Sequence, residues 1–142
     1  MLFVLDASVA LSWCFVDEAS SESRAVLNFL LDNDAEVPAI WPLEIANTLA
    51  VNERKGRITT AQSDEFLATL ADLNIRVEAH LSALTARDVF PFIRRYGLSA
   101  YDAAYLELAK RKGLQLATFD RQLIAAAPQE GVQLFNFQSF AN

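Results

Sequence analysis

A chain of 142 residues, 53% hydrophobic and 21% charged, is long and apolar enough to bury one core, which excludes a disordered polypeptide. Its net charge of −6 argues against indiscriminate nucleic-acid binding, although acids gathered around metal ions lower a net charge without covering a binding surface. The single cysteine, Cys14, excludes an intrachain disulfide framework or zinc cluster and fits a reduced, cytoplasmic setting.

The chain opens on LFVL (Leu2–Leu5), a short apolar run that reads as a buried strand. No basic segment precedes it, and Asp6 interrupts it before it reaches membrane-spanning length, so no membrane segment is expected. ASVALSWCF follows as a helix apolar nearly all round, and Ser20 to Leu31 as an amphipathic helix. EVPAIW is a short extended piece. PLEIANTLAVNERKG carries Pro42 near its start, basic residues late and Gly56 at its end, which marks a helix. Thr60 to Leu73 is the next helix, and IRVEA alternates as a strand. Leu81 to Tyr96 reads as a helix that Pro91 should kink or split.

A helix opened by Ser99 then runs to Gly113. At about 100° per residue, Leu98, Tyr101, Tyr105, Leu106, Leu108 and Ala109 form one apolar arc, and Asp102 falls inside it. LQLATF is a strand, DRQLIAAA a short helix and VQLFNF a last strand. Strands alternating with helices imply an α/β fold with a central, mostly parallel sheet of about four to five strands, and residues 1–142 read as a single domain. In such sheets a site lies beyond the carboxyl ends of the strands.

Four acids fall where that rule expects them. Asp6 and Asp120 directly follow strands, and Glu44 and Asp102 lie in the first turns of helices. Each has a plain alternative. Asp6 and Asp120 can cap helices, Glu44 suits a helix start, and Ser99 with Asp102 fits a capping box. Taken together, the four can converge on one sheet end, and each is flanked by apolar residues. There they would repel one another unless a divalent cation with a taste for oxygen, Mg²⁺ or Mn²⁺, joined them. Carboxylate-held ions of this kind hydrolyse phosphodiesters. The lone His80 and Cys14 offer no nucleophile–base set, and no glycine-rich phosphate loop is present. Basic residues cluster at Arg54, Lys55 and Arg57, at Arg94 and Arg95, and at Lys110, Arg111 and Lys112, as solvated helix ends do.

The blocks FVLDASVALSWCF, WPLEIANTLA and LSAYDAAYLELAKRKGLQLATFDRQL, in that order and spacing, resemble the PIN domain, and within it the VapC-type toxins of bacterial toxin–antitoxin pairs. The likeness runs from Phe3 to about Phe137. It implies a Mg²⁺- or Mn²⁺-dependent endoribonuclease whose acidic site, catalytic and metal-binding, is Asp6, Glu44, Asp102 and Asp120. It further implies Thr118 as a hydroxyl orienting Asp120 or a metal-bound water, with Ser8 able to do the same near Asp6. Asn47, one helical turn from Glu44, can hydrogen-bond it or a phosphate. The resemblance also implies a homodimer and a cognate VapB-type antitoxin. An aspartyl phosphatase would need a second Asp two residues after Asp6, where Ser8 stands, and a receiver domain would want Lys after the late strand, where Asp120 and Arg121 stand. The alternative from another class is a non-catalytic interaction module that uses the same fold as a dimer and partner-binding surface and the acids only as caps.

Overall fold

The computed structural model describes residues 1–79 and 83–137. His80 lies outside the described residues. In chain order the elements are β1 (Leu2–Leu5), α1 (Ala7–Ser12), a 3-10 turn (Val16–Glu18), α2 (Ser21–Phe29), β2 (Asp34–Val37), α3 (Trp41–Arg54), α4 (Thr60–Ala71), β3 (Ile75–Val77), α5 (Ala83–Tyr96), α6 (Ala100–Lys112), β4 (Gln115–Ala117) and α7 (Arg121–Gln129). The strands form one parallel sheet in the order β3-β2-β1-β4.

β1 is buried because it is central: Phe3, Val4 and Leu5 are inaccessible to solvent, as a strand covered on both faces requires. It also sits where the chain changes direction across the sheet, since β2 joins it on one side and β4, much later, on the other. A crevice opens at such a switch point, beyond the strand ends. The hydrogen bond from the Asp6 amide to the Ala117 carbonyl (3.0 Å) extends the β1–β4 ladder to that edge.

α6 packs on β1 and β4 through Ala103, Tyr105, Leu106, Leu108 and Ala109. It starts at the Ser99 cap and ends at Gly113, whose φ of 64° is the left-handed turn that glycine accepts without strain. Tyr101 does not share the buried arc; it is 60% exposed in the first turn. Lys110, Arg111 and Lys112 at the other end pair with Glu130, Glu107 and Glu36 respectively, which fits the helix-end reading of that basic group.

Four local expectations change. The helix expected over ASVALSWCF stops at Ser12, and the chain turns so that Trp13 Nε1 donates to the Ser23 carbonyl (2.7 Å). α1 is covered within the chain by α2 and α3. The helix of WPLEIANTLA starts at Trp41, one residue ahead of Pro42, so EVPAIW is strand only as far as Val37. α5 runs through Pro91 as one helix, with Val89 and Phe92 buried on either side of the lost amide. Packing of that face against α6 outweighs one missing hydrogen bond. Finally, VQLFNF forms a single parallel bridge, Leu116 to Leu134, instead of a fifth strand. Phe135 and Phe137 turn into an aromatic cluster with Phe3, Phe29 and Phe119.

Candidate active site

Asp6 occupies the N-cap position of α1, yet its side chain caps nothing. Its Oδ2 instead accepts two hydroxyls, from Ser8 Oγ (2.8 Å) and from Thr118 Oγ1 (2.7 Å). No donor reaches Oδ1 among the described residues. Asp6 is 4% exposed and its pKa is raised to about 6: burial pushes it up most, the Thr118 and Ser8 hydroxyls pull it down, and the charges of Asp102 and Asp120 push it up.

Thr118 is the hinge of this arrangement. It follows β4, is buried, donates to Asp6 and accepts the Asp120 amide (3.0 Å). Ser8 does the same from the other side, accepting the Phe119 amide at 3.2 Å. Two short-chain hydroxyls therefore tie the ends of β1 and β4 together through one carboxylate. Asp120 itself caps α7, its Oδ1 taking the Gln122 amide at 3.3 Å, so the capping role read from sequence is present there.

Asp102 is held in the first turn of α6. Ser99 Oγ accepts the Asp102 amide at 3.1 Å, but no return bond runs from the Ser99 amide to the Asp102 carboxylate, so the capping box is half formed. The carboxylate is half-buried. Its pKa is raised, first by desolvation and then by Asp120, against the Ser99 hydroxyl.

Glu44 stands in the first turn of α3, half-buried, and Tyr105 Oη donates to its Oε1 at 2.7 Å. The pKa of Glu44 is raised to about 7: desolvation pushes it up most, the tyrosine pulls it down, and Asp6 and Asp102 push it up. Tyr105 reads in the sequence only as part of an apolar arc. The signal for its role was weak: a buried tyrosine needs a partner for its hydroxyl, and Tyr105 lies one turn past Asp102. Asn47 is exposed on the rim of a cleft of about 480 Å³ beside Glu44, Leu43 and Tyr101, and no hydrogen bond joins it to Glu44.

The four acids are thus neighbours that feel one another's charge, and none has an ion-pair partner among the described residues. In donor type they fit a hard divalent cation: oxygen only, negative, and lacking a cation of their own. Among the described residues, no three Asp, Glu, His or Cys side chains already stand as a closed ligand group. To share one ion the carboxylates would have to draw together.

The PIN domain model matches residues 3–128. A protein named ribonuclease VapC3 from Pyrobaculum aerophilum is 32% identical over 130 residues, covering 90% of this chain and 96% of that one. One of the same name from Mycobacterium tuberculosis is 32% identical over 125 residues, covering 88% and 87%. Among solved structures, VapBC2 from Rickettsia felis, bound to a DNA fragment from its promoter, superposes with a TM-score of 0.68 at 14% identity, covering 96% and 98%. FitAcB from Neisseria gonorrhoeae superposes at 0.63 with 19% identity, covering 97% and 99%; at these identities the likeness is one of fold.

Proposed function

The chain belongs to the PIN domain family, and from that premise we propose that it is a divalent-metal-dependent endoribonuclease, the toxin of a VapBC-type toxin–antitoxin pair. The observation that carries this reading is Asp6. A buried carboxylate with one oxygen fixed by two hydroxyls, the other open, and three acids around it carries an unfavourable negative charge that a cation would neutralise. A non-catalytic module using the acids as caps leaves that arrangement unexplained, because Asp6 does not cap.

The residues that would hold the ion are Asp6 and Asp102, with Asp120 and Glu44 beside them. The chemistry a bound Mg²⁺ or Mn²⁺ supplies is charge at the phosphate oxygens and a more acidic attacking water. The chain does the rest. Thr118 and Ser8 keep Asp6 in one orientation, so its open oxygen needs no reorganisation. Tyr105 orients Glu44, which sits near 7 before any cation binds and is suited to hold a proton given up by water. The substrate follows from relatives named ribonucleases. The expected partners are a VapB-type antitoxin and a second copy of this chain.

Purified protein freed of antitoxin should cleave single-stranded or loop RNA with Mg²⁺ or Mn²⁺ and stop with EDTA. Intact RNA under all these conditions overturns the reading.

A further inference from the structure

A second cleft, of about 430 Å³, opens beside Ser8 and Asp120 and meets the Glu44 cleft at Thr48. Its apolar surface is Leu11, Phe15 and Phe119; its polar edge is Asn52, Arg57 and Glu18. Arg57 is unusually well fixed. Its guanidinium carbon lies 4.6 Å from the centre of the Phe15 ring, Nη2 reaches both Asp17 oxygens at 2.9 Å, and Nη1 reaches Asn52 Oδ1 at 3.0 Å. Asn52 is anchored in turn on the Thr48 carbonyl at 2.8 Å.

These contacts occupy at most three of the five guanidinium N–H groups, so at least two remain to donate. Glu18 Oε2 stands 3.6 Å from Arg57 Nη2, and the Glu18 side chain is about half exposed at 48%, so its carboxylate can still accept. The charge matters as much as the geometry. Asp17 and Glu18 together outweigh Arg57, and Asp120 adds a further negative charge, so the cleft repels a phosphate. A neutral, planar group with donors and acceptors on one edge suits it.

We propose that this cleft is a base-binding subsite that takes an unstacked guanine of the RNA next to the bond being cut. The choice of ligand rests on the ribonuclease reading. Guanine presents the acceptor O6 beside the donors N1–H and N2–H. Arg57 would meet the first and Glu18 the others, while Leu11 and Phe119, both part-exposed, supply the apolar floor and the buried Phe15 ring backs the guanidinium. Adenine puts a donor where O6 is and an acceptor where N1–H is, so it meets Arg57 and Glu18 with the wrong groups. RNA is read in this way, through single-stranded bases whose edges bond to side chains and whose faces lie on aromatic ones.

The test is nucleoside binding to the full chain, which needs no hydrolysis. Guanosine and adenosine are titrated separately into wild-type protein, Glu18→Gln and Arg57→Lys, with amide shifts followed by NMR and folding checked by melting temperature. Guanosine should bind at least about tenfold more tightly than adenosine. It should shift the amides of Ser8, Asn52 and Phe119, and the preference should collapse in Glu18→Gln. Arg57→Lys keeps the charge and loses the planar fork, so it should weaken guanosine too. Equal binding of the two nucleosides, or an unchanged preference in a folded Glu18→Gln, overturns the subsite. Because RNA cleavage is scored separately, a chain that cuts RNA without guanosine preference loses only the subsite. One that prefers guanosine but cuts no RNA loses the ribonuclease reading.

Discussion

Asp6 and Thr118 show how two residues far apart in sequence become one device. The hydroxyl of Thr118 donates to Asp6 and accepts from the Asp120 amide, so replacing it removes both bonds at once. Thr118→Val should therefore cost about 1–3 kcal/mol of stability and lower cleavage, measured by chemical denaturation and initial rates. Tyr105→Phe acts on the other side of the site. It removes a donor that favours ionised Glu44, so the acidic limb of the rate profile should move to higher pH, with about 1 kcal/mol lost in stability. A profile that keeps its position would show that Glu44 titrates outside the rate-determining step.

At the scale of elements, α7 is fastened at both ends. Asp120 caps its start, and Glu130 just past its end gathers Lys110 from α6 with Arg95 and Tyr96 from α5. These donors, Lys110 first, hold Glu130 at about 2, below the ordinary carboxylate range. A lowered folded pKa gives stability that is present above about 4.5 and lost as pH falls towards 2. Glu130→Gln should lower the melting temperature at pH 7 by the equivalent of about 1 kcal/mol, and the difference should vanish near pH 2. This cluster was not legible in the sequence, where Glu130 falls between DRQLIAAA and VQLFNF. Its partners lie up to 35 residues away, and no local pattern encodes such a meeting. Arg57 and Asp17, 40 residues apart, are the same case. The strands and most helices were legible because apolar runs, capping residues and Gly or Pro boundaries are local signals. Pro91 does not split its helix, and the reason is not local either: α5 packs on α6. The positions of Asp6 and Asp120 at strand ends followed from topology, but the absence of a cap at Asp6 and the Tyr105–Glu44 bond needed the fold.

For the whole molecule, the crowding of acids sets the pH response. Asp6 and Glu44 have folded pKa values raised to about 6 and about 7, so the native state holds protons that the unfolded chain releases. Their contribution is fully present below about 4 and is lost as pH rises through 6 and 7. Metal-free protein should thus melt at a lower temperature at pH 7.5 than at pH 5, and added Mg²⁺ or Mn²⁺ should recover the loss at pH 7.5 by binding the folded chain alone. Differential scanning fluorimetry across that range reads both; equal melting at the two pH values argues against a crowded site. Among the described residues no helix is long and apolar enough to cross a membrane.

All of these expectations converge on one carboxylate set acting through a cation. Asp102 tests it best, because its side chain carries no reciprocal cap and its charge is unfavourable in the metal-free fold. RNA cleavage by metal-free wild-type and Asp102→Asn protein, measured side by side as Mn²⁺ is added, is the decisive measurement. Cleavage by the wild type is expected only once Mn²⁺ is present. The variant should lose more than about a hundredfold, beyond what removing a supporting contact costs, with a melting temperature unchanged or higher. Full activity in Asp102→Asn, or wild-type cleavage undiminished without metal, would rule out a carboxylate set acting through a cation.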